Sequence, residues 1–141
     1  MKIKVSNFFF ISLFFPLIAF GNNLSIDNLS LTDLDINNNY VMVQFDISWE
    51  NSWRTNDLNG DGVTNWDAVW LFVKYKKNNE WNHATLNTIA SNHITGSQST
   101  NATINSRSDG KGAFYYRSGN GTGTFSSTAV KLRWEYGTDG I

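Results

Sequence analysis

One stretch constrains this chain more than any other: residues 40–50, "YVMVQFDISWE". Val41, Val43, Phe45, Ile47 and Trp49 fall on one side of a period-two repeat, and Tyr40, Met42, Gln44, Asp46, Ser48 and Glu50 on the other. Side chains alternate across a strand, so this is a strand with one buried and one mostly polar face, as in an antiparallel sheet with a solvated side. Residues 128–136, "TAVKLRWEY", repeat it with Val130, Leu132 and Trp134 against Lys131, Arg133 and Glu135. In residues 67–75, "DAVWLFVKY", Val69, Leu71, Val73 and Tyr75 share one face while Trp70 and Phe72 occupy the other. Apolar residues on both faces predict a central strand covered on both sides. Further strands are expected over 25–31, 81–86, 102–105 and 113–117, separated by turn signals at 37–39, 77–80, 108–112 and 118–123. With no convincing helix, no internal repeat and no long linker, the expected fold is all-β: an antiparallel β-sandwich of about seven strands.

That domain is expected to begin after residue 21. Lys2 and Lys4 precede a nearly unbroken apolar run over residues 8–20, followed by small residues at Ala19 and Gly21. This is the pattern of a secretory signal peptide, 1–21, with cleavage after Gly21. The run is short for a bilayer span and Pro16 interrupts it, so no membrane span is expected after cleavage. The rest, 22–141, has the size of one ordinary domain with its own core. Eleven basic residues face twelve acidic ones for a net charge of −1, more negative once Lys2 and Lys4 are gone. No basic patch points to nucleic acid. Cysteine is absent, which excludes thiol catalysis and leaves stability to packing.

The loop "DLNGDGVTNWDA" carries a metal-like spacing. Asp57, Asn59, Asp61 and Gly62 match positions 1, 3, 5 and 6 of a calcium loop, Val63 offers a carbonyl at position 7 and Asn65 a side-chain oxygen at 9. Position 12 is Ala68, and the nearest carboxylate, Asp67, comes one residue early. Neither flank reads as a helix, so a helix–loop–helix site is excluded. What remains is a weak, structural calcium loop in the ~0.1–1 mM range of extracellular modules, or a plain polar turn built on "NG" and "DG".

Catalytic signals are thin. Asp46 and Glu50 share a strand face and His83 follows Trp81, which would be the material of a small hydrolase. A solvated sheet face and a packed histidine explain them as well. His93 falls in a polar loop. The glycine-rich "GNGTGTF" lacks the spacing of a dinucleotide fingerprint and reads as a hairpin turn. The aromatics say more. Of six tryptophans, Trp49, Trp134 and Trp66 read as core. Trp53, Trp70 and Trp81, with His83, are candidates for a surface platform that stacks on a sugar or fills a partner's pocket.

The motifs "VQFDISWENSWR", "NWDAVWLFVKY", "EWNHATL", "GAFYYRS" and "LRWEYGTDGI" resemble an N-terminal domain of exported Bacteroidetes-type proteins that usually precedes a domain of the formylglycine-generating-enzyme (sulfatase-modifying factor) type. The resemblance spans residues 24–141. It implies an accessory role beside a following domain, which has no counterpart within residues 1–141, so no catalytic residue is carried over. The segment holding "DLNGDGVT" varies among such domains, which makes it local decoration.

Together these readings predict an exported, non-catalytic accessory or interaction domain, the N-terminal part of a larger modular protein. It would contact a following domain, another exported protein or a glycan. The alternative is a carbohydrate-binding module with a structural calcium loop.

Overall fold

The computed structural model describes residues 21–56, 64–98 and 101–141. The expected leader and the loop residues Asp57, Asn59, Asp61 and Val63 lie outside them. The described chain is all-β and antiparallel, with ten strands in three sheets, more than the seven expected. The large sheet runs in the order β1 (Ser25–Asp35), β2 (Tyr40–Thr55), β10 (Gly121–Trp134), β7 (Ser97–Gln98), and β3 (Asn65–Trp66) is paired to the far end of β2. A smaller sheet, β4 (Val69–Leu71), β9 (Ala113–Arg117), β8 (Ala102–Ser106), covers part of it. A hairpin of β5 (Lys74–Lys77) and β6 (Glu80–His83) closes one end.

The alternation read in residues 40–50 is the floor of the core. Val41, Val43, Phe45, Ile47 and Trp49 are all buried, and from β10 Phe125, Val130, Leu132 and Trp134 join them. Tyr115 of β9 bridges the two sheets, edge-on to Trp49 at 6.3 Å and to Phe125 at 5.8 Å between ring centres. Its hydroxyl reaches Thr95 O at 2.7 Å and Ser127 Oγ at 2.5 Å, and burial pushes its pKa up to about 12.

Four bulges keep these faces in phase. An extra residue would turn the following side chains to the wrong side of a strand. Here each bulge inserts a residue held at positive φ, and the inward side chains step by three across it. Asn28 lies between Ile26 and Leu29, Asp33 between Leu31 and Leu34, Asn51 between Trp49 and Ser52, and Ala129 between Ser127 and Val130. Asn and Asp tolerate that conformation; Ala129, at φ 54°, does not. Its N–H is held by Asp46 Oδ1 at 2.8 Å. The bond from Asn28 Nδ2 and this one keep the Asp46 carboxyl below its usual range.

Three expectations need correction. Residues 67–75 do not form one central strand. The segment breaks into β4 and β5, and β4 is the edge of its sheet, so Trp70 and Phe72 are exposed. The glycine-rich segment after β9 is not a hairpin turn, because β9 and β10 belong to different sheets and the segment carries the chain between them. Met42, placed on the polar face, is buried there beside Thr32 and Arg133. The turns at 37–39, 77–80 and 108–112 do join paired strands, and Asn78 and Asn79 both take the positive φ of a tight two-residue hairpin.

His93 is not a loop residue of no consequence. It is buried, its Nδ1 accepts the N–H of Arg133 at 2.9 Å, and its Nε2 donates to Asn87 O at 2.9 Å. The ring thus ties the segment after β6 to β10, as do the bonds between Ile94 and Lys131. Burial lowers its pKa, against the opposing pull of the Asn87 carbonyl and Glu135.

Two expectations follow from this geometry. Replacing Ala129 with Gly removes a left-handed strain and raises stability by about 1 kcal/mol, read from urea unfolding; unchanged or lowered stability would contradict the strain. A histidine whose folded pKa lies below its unfolded value stabilises the protein above the unfolded pKa, near 6.5, and loses that contribution as pH falls. Stability therefore declines from about pH 6.5 downward, before the depressed carboxylates of Asp35, Asp46 and Asp139 come into play. His93→Gln starts lower but lacks this slope between pH 6.5 and about 5.

Candidate functional site

On the small sheet, one face is core and the other carries a strip of rings. In β9, Ala113, Tyr115 and Arg117 point inward and are buried, which turns Phe114 and Tyr116 outward. Trp70 of β4, directly across from Phe114, packs against it with ring centres 4.8 Å apart and planes inclined by 56°. Trp66 of β3 stacks on Tyr116 at 5.5 Å. Since Phe114 and Tyr116 are two residues apart on one face, the two pairs are spaced by about 7 Å. Trp66 and Trp70 remain 42% and 40% exposed, so these rings are open to solvent along one side.

Polar groups flank the rings on both sides. Arg54 of β2 lies with its guanidinium 4.8 Å from the Trp66 ring centre and 5.8 Å from that of Tyr116, and its Nη1 donates to Arg117 O at 3.3 Å. Cation–π contact of this kind holds the side chain flat along the strip. Across β9, Asn105 and Thr103 of β8 are in register with Phe114 and Tyr116 and share their face. The close seating of Trp70 depends on Gly112: a Cβ there would lie 2.4 Å from the indole and 2.6 Å from Leu71 O. Only a residue without a side chain lets the ring lie down on the backbone.

Asp67 connects this strip to the core. Its Oδ2 accepts the indole N–H of buried Trp49 at 2.7 Å, while Oδ1 accepts from the Trp53 N–H at 2.9 Å and Ser52 Oγ at 3.3 Å. Fixing Asp67 inward leaves its neighbour Trp66 outward, so Trp66, expected in the core, belongs to the surface strip. At the other end of the molecule Asp139 does the same for Trp134, at 2.6 Å, and is itself bonded by Thr85 Oγ1 and N–H at 2.7 and 3.0 Å. Burial alone would raise Asp139, but these bonds prevail and hold it below the usual carboxylate range.

The sequence-derived sites are divided by the fold. Of the platform residues, Trp70 is part of the strip. Trp53 is exposed on β2 and has no ring partner among the described residues. Trp81 and His83 share a face of β6, away from the strip, with His83 5.6 Å from Phe72. Phe114 and Tyr116 were not singled out, although the alternation in "GAFYYRS" separates them from Tyr115. Of the loop residues, Asn65 lies in β3 beside Thr55, and both Asp67 oxygens already serve β2. A cation in this loop would therefore rely on Asp57, Asn59 and Asp61 with the Val63 carbonyl.

The fold does not bring Asp46, Glu50 and His83 together. Asp46 and Glu50 are four residues apart on β2, about 13 Å, beyond the ~5–9.5 Å that paired glycosidase carboxylates need. Asp46 is engaged by Asn28 and Ala129, Glu50 by Asn23 at 2.8 Å, and His83 is on a different sheet.

The Asp67 arrangement has a measurable consequence. Asp67→Ala leaves the buried Trp49 indole N–H without an acceptor and costs about 1–3 kcal/mol, with a changed near-ultraviolet circular dichroism band for the tryptophans. A variant as stable as the parent would show the bond to be dispensable. This chain matches no protein-family model, and no curated protein or solved structure is significantly similar to it.

Proposed function

We propose that the protein is an exported, non-catalytic accessory module and that its outward aromatic strip takes up a carbohydrate. The observation carrying this reading is the pair of tilted ring contacts Trp70–Phe114 and Trp66–Tyr116, open to solvent and bordered by Arg54, Asn105 and Thr103. An aromatic face offers the C–H side of a sugar ring an apolar surface, and polar groups at its edges meet the hydroxyls. A strip of this kind needs neither metal nor catalytic acid. Calcium, if the neighbouring loop takes it up through Asp57, Asn59 and Asp61, would stiffen that loop and contribute no chemistry.

Docking onto a following domain, which the sequence resemblance implies, would use apolar contact without needing the polar border. That border favours the glycan. The test is a glycan array followed by calorimetry on the best ligand. Trp66→Ala and Trp70→Ala are each expected to weaken binding at least tenfold, as loss of one stacking contact plus its ordering would, whereas Trp81→Ala leaves it unchanged. An array without binders, or binders indifferent to Trp66 and Trp70, would sink the reading.

A further inference from the structure

The inner face of the large sheet extends beyond its cover. The small sheet packs over β2 and β10, and β1 reaches past it. Ile26 and Leu31 are in register with buried Ile47 and Val43, so they point to the core side. The two bulges of β1 bring Leu29 and Leu34 to the same side. Yet Ile26, Leu29, Leu31 and Leu34 are 44%, 70%, 63% and 62% exposed. Four large apolar side chains are aimed at a core that does not close over them.

What they border is an open trough. Its middle section, about 530 Å³, lies between this row and residues Leu71, Phe72 and Val73, over Val43 and Phe45. A second section of about 530 Å³ continues past Leu34 to Trp134, Tyr136 and Ile141. A separate hollow of about 260 Å³ lies by Leu24, Val69 and Trp70 and shares no lining residue with the middle section. The middle and second sections share Leu31 and Trp134 and follow β1 from Ile26 to Leu34, about 27 Å at the rise of a strand.

We infer that this trough is a docking groove for one extended segment of a partner protein, received as an added β-strand. Among the described residues both rims are strands paired on one side only, β1 to β2 and β4 to β9. The length is that of a strand. An acyl chain would fill the apolar volume and leave the free main-chain groups of the rims unmet. A strand fills the volume with every second side chain and bonds an edge as well. The two edges are not equal. β1 is interrupted by its bulges at Asn28 and Asp33, a device that guards an edge against further pairing. β4 carries no bulge. A strand laid along β4 becomes the missing fourth strand of the small sheet, and its inward side chains cover the exposed row on β1.

Charge narrows the occupant. Lys74 is the one charged side chain bordering the middle section, and it has no ion pair among the described residues. Asp33, on the second section, is already paired with Lys131 at 2.6 Å. The segment that fits has apolar residues at alternate positions and an acidic one where it passes Lys74. A second copy of this chain fits less well, because its free apolar edge, β1, presents side chains at steps of three, two and three, out of phase with the regular edge of β4.

The test uses the exported protein and a display library of ten-residue peptides. Alternate positions are drawn from Val, Ile, Leu and Phe, the others from Thr, Ser, Asp and Lys. A library of equal composition with apolar residues at helical spacing is the control. Alternating peptides are expected to be enriched, with an acidic residue at a fixed position. Leu29→Asp and Leu31→Asp, both at exposed sites, should weaken binding at least tenfold with circular dichroism unchanged, and Lys74→Glu should reverse the preference for acid. Trp66→Ala should leave peptide binding intact, which separates this groove from the glycan strip. The inference is overturned if neither library or both are enriched, or if binders ignore Leu29 and Leu31. It is equally overturned if dodecanoate displaces the peptides, which would make the groove an acyl site. Sedimentation showing a dimer that Leu31→Asp dissolves would assign it to a second copy.

Discussion

Everything in this fold depends on keeping the inward face of β2 inward over its whole length. β2 spans sixteen residues and is bonded to β1, β10 and β3, so a phase error anywhere on it or its neighbours would expose one wall of the core. The chain meets that demand with bulges that restore phase, each built on one residue at positive φ. Three use Asn or Asp, which adopt the conformation cheaply. The fourth uses Ala129 and relies on the Asp46 carboxylate to hold the bulged N–H. A polar side chain on the solvated face thereby sets the phase of the core side.

A second pairing organises the ends. Each of the large indoles in the core gives its N–H to a carboxylate from a short segment outside the main strands: Trp49 to Asp67 and Trp134 to Asp139. A buried indole N–H without a partner is costly, and the acid that answers it fixes the direction of its own segment. At one end this anchors the C-terminal turn against Thr85. At the other it decides that Trp66 faces out. The surface strip is thus a consequence of how the core satisfies a polar atom.

Most of β2 and the second half of β10 were legible because their alternation is long, whereas the short β3 and β7 carry too few residues to show a period. Trp49 and Trp134 could be assigned to the core for the same reason. Residues 67–75 were not legible. A pattern apolar on both faces suits a central strand, and it suits equally an edge strand whose outer residues stack on a neighbour. Only the pairing of Trp70 with Phe114, made possible by bare backbone at Gly112, separates the two cases. Trp66 was misplaced because its direction is set by Asp67 reaching Trp49 eighteen residues away, a contact no local period reports. His93 escaped notice because its two bonds are to main-chain groups, one of them forty residues distant. The uncovered row on β1 was hidden in spacing: Ile26, Leu29, Leu31 and Leu34 step by three, two and three, which reads as irregular until the bulges are known.

β4 stands where the two proposed surfaces meet. Leu71 borders the trough, while Trp70 beside it packs against Phe114 in the aromatic strip. The strand is three residues long and, among the described residues, paired with β9 alone, so the Trp70 ring is held chiefly by its contact with Phe114 and its seat on Gly112. A strand bound along its free edge would restrain β4 from the other side and with it the ring. Coupling of this kind is reciprocal: whatever the groove gains in fixing Trp70 for a sugar, a bound sugar returns to the groove by the same factor. The short, half-bonded β4 is therefore no weak point left over from packing. With both proposed surfaces occupied, it would be the element through which one occupant is felt by the other.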